Sequence, residues 1–259
     1  MARDFNGTAD RIDWASVFTT SGQALTISLW LYGDDFITGH NQYLFASQRA
    51  SDNADGTLFM MADFIDTGVI LFQRRFNVLN KDRASNLNEV PPGSWTHLLV
   101  TDDGSVNFSG THIYHSGSEV AYDAGNEQDG SGTEVVADGT WSLGGRVGGD
   151  TNNFNGRLAE VGVWNRELAV GEIAALAKGY KPANFLTNLK FYAPLIGITT
   201  DNLIGAAAST MDGTSIIAHT RIIGGSPPLL GRHTDAAAPV AGGGGIMSRF
   251  RFTYEEDGY

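Results

Sequence analysis

The strongest constraint on this chain is its punctuation: apolar and β-branched runs are closed repeatedly by Gly, Asp and Asn before they reach helical length. Such runs read as short antiparallel strands. They fall at 25–32, 57–64, 68–74, 95–101, 111–115, 140–143 and 157–164. A helical repeat is convincing only at 167–178, where Leu168, Ile173, Leu176 and Ala177 share one face and Gly179 stands ready to end the helix. The expected fold is all-β: a two-sheet antiparallel β-sandwich of jelly-roll type, formed by residues 1–180 with one short helix. A further strand at 188–196 is expected to complete it.

Past Gly179 the texture changes. Residues 181–259 hold 11 of the 33 Gly and 5 of the 7 Pro, including Pro227-Pro228 and Gly242-Gly243-Gly244-Gly245. A segment so composed buries little core of its own. It reads as an extended C-terminal arm, with little regular structure beyond Ala208 except a terminal strand near 249–254. The arm balances 6 Lys+Arg against 6 Asp+Glu, whereas residues 1–180 set 11 against 23 and so carry the whole net charge of −12. An acidic domain repels phosphate backbones, so no nucleic-acid partner is expected.

Without cysteine there is neither a disulfide nor a thiolate metal site. The opening residues turn polar at once, and apolar stretches end well short of the ~20 residues of a membrane span. Neither a secretory signal nor membrane insertion is expected.

Catalytic chemistry is hard to place. A glycosidase needs two carboxylates about 5–5.5 Å apart across the scissile bond. Asp63 and Asp66 are three apart and face opposite sides of a strand; Glu255 and Asp257 have the right parity but lie in the last five residues. The six histidines show no metal-binding spacing, and no nucleophile elbow is present. No cofactor is required. Polar loops do offer the oxygen ligands that Ca²⁺ prefers, with Asp52, Asp55, Asp150 and Asn152 as candidates, although ordinary β-turns use the same residue types.

Several segments, in order, resemble the concanavalin A-like lectin/glucanase superfamily in its laminin G-like, pentraxin-like branch. They are Phe5-Asn6-Gly7-Thr8-Ala9-Asp10-Arg11-Ile12, Thr26-Ile27-Ser28-Leu29-Trp30-Leu31, Gly93-Ser94-Trp95-Thr96-His97-Leu98-Leu99-Val100, Ile113-Tyr114-His115-Ser116-Gly117, Leu143-Gly144-Gly145, and the stretch from Phe154-Asn155-Gly156 to Leu168. The resemblance covers residues 5–180 and implies the sandwich. In both Asn6-Gly7 and Asn155-Gly156, Asn-Gly is expected to supply positive-φ turn chemistry. Trp30, Trp95, Trp141 and Trp164 are expected to fill the core. One departure stands out: where the family often has Asp-Gly after the tyrosine, this chain has His115-Ser116-Gly117, which removes an acidic ligand from a family calcium site.

The expectation that follows is a non-catalytic virion structural protein, decorating a phage capsid or associated with its spike or tail, and assembled in the host cytoplasm. Its sandwich would be an exposed lectin-like domain. The arm would hold other virion proteins or further copies of the chain through Leu203, Ile222, Ile223, Leu229, Leu230 and a strand with Phe250, Phe252 and Tyr254. The alternative is a carbohydrate-binding lectin or adhesion module, extracellular or at a cell surface, with a host-surface glycan as partner. A glycoside hydrolase comes third.

Overall fold

The computed structural model describes residues 2–15, 18–34, 41–52, 55–62, 68–86, 89–146, 152–195, 204 and 209–217. Of the two units into which the chain divides, Met1–Ser226 and Pro227–Tyr259, the first contains all of them. Among the described residues fifteen strands run in chain order: β1 Ala2–Asn6, β2 Arg11–Ala15, β3 Leu25–Gly33, β4 Gln42–Gln48, β5 Asp55–Ala62, β6 Val69–Arg74, β7 Lys81–Ala84, β8 Trp95–Asp102, β9 Thr111–His115, β10 Ser118–Glu119, β11 Thr140–Leu143, β12 Asn155–Trp164, β13 Leu189–Ala193, β14 Ser209–Asp212 and β15 Ser215–Ile217. They form two antiparallel sheets, β10-β9-β8-β3-β12-β1-β15 with β13 beside the end of β12, and β14-β2-β11-β4-β5-β6-β7. No helix among the described residues is long and apolar enough to cross a membrane.

Alternation decides what each strand buries. On β3, Leu25, Ile27, Leu29 and Leu31 enter the core, as do Leu98 and Val100 on neighbouring β8. Between the sheets the Trp141 ring meets Phe18, Phe45 and Phe191 edge-on at 5.2, 5.3 and 5.6 Å. Burying each such ring contributes about 1.5–3 kcal/mol. Trp141 and Trp164 are buried as expected, but Trp30 and Trp95 are only half-buried. Their odd parity relative to the core leucines puts them on the outer face of the first sheet, with Trp30 beside His97 and Trp95 beside Tyr32.

β12 does not keep one parity. Leu158 points into the core, and so do Val161 and Val163. An extra residue must therefore intervene, and the register against β3 slips between Ala159 and Gly162. Glu160 sits in that bulge with φ +52°. Its carboxylate, 4 % exposed, accepts a hydrogen bond from the Tyr192 hydroxyl at 2.5 Å.

The helix α1 runs Val170–Ala177, three residues shorter at its start than its apolar pattern implies. Thr26 on β3 holds that missing turn extended: its hydroxyl donates to Arg166 O at 2.7 Å and accepts from Leu168 N–H at 3.1 Å. Glu172 then accepts the Ala169 N–H at 2.9 Å and caps the helix. Leu168, Ile173 and Leu176 cover Leu99, Trp164, Leu189 and Tyr192 on the outer face of the first sheet.

Gly7 has the positive φ that a turn demands, +72°. Gly156 does not lie in a turn. It is inside β12 at φ +145°, where a Cβ would come within 2.1 Å of Tyr32 O, so close backbone approach is what requires glycine there. The β9–β10 hairpin turns through Ser116 and Gly117 at φ +51° and +85°, the type I′ pattern.

Regular structure also continues past Ala208, against expectation. β14 pairs with β2 and β15 with β1, so a segment turning at Gly213 adds one edge strand to each sheet.

Candidate functional site

The outer face of the second sheet carries its own apolar cluster of Tyr43, Ala46, Leu58, Met60, Val69, Leu71 and Ala84. The strand registers arrange this face in rows. Tyr43, Met60, Leu71 and Ala84 are successive neighbours in one row, while Ala46, Leu58, Gln73 and Asp82 make the next. The first row is apolar throughout; the second turns polar as it crosses to β7. Alternation on β6 explains the change, since Leu71, Gln73 and Arg75 share one side of the strand.

Beyond β7 the chain returns as a wall. Asp82 and Gln128 exchange backbone hydrogen bonds at 2.9 and 3.0 Å, and Asp123 N–H donates to Ala84 O at 3.1 Å. The wall is shaped by a 3-10 turn, Ala124–Asn126, whose entry is closed by the Asp123 carboxylate accepting from Gly125 N–H at 2.9 Å. On the opposite side stands Arg146, which follows β11. Its Nη1 donates to Asp55 Oδ2 at 2.6 Å, and its guanidinium carbon lies 5.5 Å from the Tyr43 ring centre.

Floor and walls enclose a cleft of about 290 Å³, bounded by Asn41, Tyr43, Asp55, Leu58, Met60, Leu71, Gln73, Arg75, Asp82, the 125–128 segment and Arg146. Small-ligand sites pair apolar surface with convergent polar groups; here the exposed lining is mostly polar, and the volume lies just under their usual range. The polar groups are interlinked. Gln73 donates to Asp82 Oδ1 at 2.8 Å and accepts from Arg75 Nη1 at 3.2 Å. Burial pushes the Asp82 carboxyl up, against the hydrogen bond from Gln73 and the charge of Arg75. Across the cleft, Asp55 Oδ1 is buried and has no hydrogen-bond donor among the described residues. Glu127 is held by Arg83 at 3.1 Å.

Of the calcium candidates, Asp52 faces Arg49 in a surface ion pair and Asp55 faces Arg146, so each carboxylate already has a cationic neighbour. Asn152 is placed by its carbonyl, which accepts from Tyr43 N–H at 3.1 Å. Asp150 lies outside the described residues. Among the described residues no three His, Asp or Glu side chains converge as a metal site would require. Asp55 thus belongs to the cleft, in company that sequence reasoning did not foresee: Tyr43, Gln73, Arg75, Asp82 and Arg146. The available signal was the shift from apolar to polar along Val69, Leu71, Gln73 and Arg75 on one strand face. The carboxylates considered for hydrolysis, Asp63, Asp66, Glu255 and Asp257, lie outside the described residues. So do the assembly candidates Leu203, Ile222, Ile223, Leu229, Leu230, Phe250, Phe252 and Tyr254.

Fold and cleft together define a lectin-type β-sandwich. A family model, Laminin_G_3, matches residues 6–174, and the chain belongs to the concanavalin A-like lectin/glucanases superfamily. A search of curated proteins found no significant match. Among solved structures, the chain is similar to a proposed carbohydrate-binding protein from Bacteroides ovatus, with 17% identity and a TM-score of 0.55 over 83% of this chain and 58% of that one. It is also similar to the heptameric SAP-like pentraxin of Limulus polyphemus, with 18% identity and a TM-score of 0.49 over 68% of this chain and 81% of that one.

Proposed function

We propose that this protein is a non-catalytic carbohydrate-binding module and that its glycan lies in the cleft over β4 to β7. The observation that carries the reading is the juxtaposition of the apolar floor of Leu58, Met60 and Leu71 with the linked polar row of Asp82, Gln73 and Arg75. A pyranose has the matching split: C–H faces that pack on apolar surface, and hydroxyls that both donate and accept. Planar carboxylate, amide and guanidinium groups meet such hydroxyls in fixed geometry, and interlinking holds these three in place before a ligand arrives.

Binding is favoured over hydrolysis because the cleft carboxylates are already committed, Asp55 to Arg146, Glu127 to Arg83 and Asp82 to Gln73. The superfamily's name covers both lectins and glucanases and supports either. The expected virion role draws no support from the similar proteins named above.

A glycan array followed by calorimetry on the hits tests the proposal. Gln73→Ala and Asp82→Ala, each confirmed folded by thermal unfolding, are expected to weaken binding about tenfold or more, the loss of one or two hydrogen bonds. Unchanged affinity in both variants would remove the cleft from consideration.

A further inference from the structure

We infer that Arg75 makes the cleft selective for a sugar bearing a carboxylate. The inference deepens the sugar-binding reading and rests on it. The cleft's other charges are mostly spent on one another: Arg146 lies on Asp55 at 2.6 Å, and Glu127 is taken by Arg83 at 3.1 Å. Arg75 is different. Its guanidinium has one hydrogen-bond partner among the described residues, the neutral amide oxygen of Gln73 at 3.2 Å, and no carboxylate in ion-pair contact. Asp82, the nearest acid in the row, gives its Oδ1 to the Gln73 amide instead, so Gln73 stands between the two charges. Burial raises the Asp82 carboxyl's pKa, while the Gln73 hydrogen bond and the Arg75 charge oppose that rise.

Position agrees with this role. Residues two apart on one strand face are separated by about 7 Å, so Leu71, Gln73 and Arg75 step outward in that spacing. A ring resting on Leu58 and Leu71 places its hydroxyls at Gln73 and Asp82 and an exocyclic group toward Arg75. There a carboxylate meets a guanidinium fork able to donate two parallel hydrogen bonds, a match that neither a hydroxyl nor a lysine ammonium reproduces. The overall charge of −12 repels anions at long range, so the preference has to come from this short-range contact. It is best read at physiological ionic strength, where the Debye length is about 8 Å.

The test is calorimetry on matched sugar pairs, methyl glucoside against methyl glucuronide and lactose against sialyllactose. The acidic member of at least one pair is expected to bind about tenfold or more tightly. Arg75→Gln is expected to bring that ratio to about one, with Arg75→Lys in between because it keeps the charge and loses the fork. Folding of both variants is checked by thermal unfolding; the sheet bond from Arg75 N–H to Gly56 O, 2.8 Å, uses the backbone and survives either change. Equal binding within both pairs, or a preference that persists in Arg75→Gln, overturns the inference while leaving sugar binding standing. Failure of all four sugars together with an array devoid of hits overturns the sugar-binding reading itself, and this inference with it.

Discussion

Arg74 at the end of β6 and Asp102 at the end of β8 bring opposite charges from the two sheets to 2.8 Å, with neither side chain exposed to solvent. Asp102 is the hub of this buried charge cluster. It also receives Lys81 Nζ at 2.6 Å, Gly104 N–H at 2.9 Å and the Thr111 hydroxyl. Arg74 reaches past it to the carbonyls of Thr20 and Gln23. Removing Asp102 would leave Arg74 with Glu134 at 3.0 Å and Lys81 with the more distant Asp103 at 3.7 Å, and breaking a buried pair in this way costs about 3–5 kcal/mol. Asp102→Ala is therefore expected to lower the unfolding free energy by that amount in a denaturant titration, without altering glycan affinity in protein that remains folded.

His97 offers a pH signature. It is fully buried, its Nε2 lies 2.9 Å from Ser28 Oγ, and burial pushes its pKa down to about 3. The unfolded chain holds this proton more tightly, with a pKa near 6.5. The stability contributed by neutral His97 is thus complete above about pH 6.5 and is lost as pH falls toward 3, by about 1.4 kcal/mol per pH unit. His97→Gln is expected to flatten that part of the stability–pH curve. A slope identical to wild type would count against the assignment.

Glu160 has the opposite sign. Burial raises its pKa in the folded state, so its contribution is present below the unfolded value near 4.5 and is lost as pH rises through the folded one. Glu160→Gln keeps a partner for Tyr192 and removes the buried charge. Thermal unfolding is expected to show little change at pH 4 and a higher midpoint than wild type at pH 8.

Two glycines make a contrast. Gly156→Ala forces a Cβ against Tyr32 O at an unfavourable φ, and a loss of at least about 1–3 kcal/mol is expected. Gly171, exposed in α1, has open space around the Cβ it lacks. Gly171→Ala is expected to stabilise by about 0.5–1 kcal/mol through helix propensity and a less disordered unfolded chain. Melting temperatures that move together in the two variants would contradict this account.

Much of the sandwich was legible because alternation is local. The leucines of β3 and the apolar run of β8 announce a strand and a buried face within eight or nine residues. The bulge at Glu160 was not legible, since an inserted residue leaves no compositional trace and shows only as a parity that fails to continue. Trp30 and Trp95 mislead because bulk suggests burial, whereas their odd parity relative to the core residues of β3 and β8 places them outside. The cleft depends on which residues stand side by side across the successive strands β4, β5, β6 and β7, and on the 125–128 segment and Arg146, which reach it from far along the chain. Asp55 was singled out from its polar loop, but its partner Arg146 lies 91 positions away.

The segment carrying β14 and β15 has a consequence for how the domain is handled. With one strand on β2 and the next on β1, it covers the hydrogen-bonding rims of both sheets on the same side of the sandwich. Cutting the chain after residue 208 would leave cleft and core in place but bare two neighbouring rows of backbone donors and acceptors. Such a fragment is a ready template for strand addition between molecules, so loss of solubility, rather than loss of ligand, would be the first sign that the boundary was drawn too early.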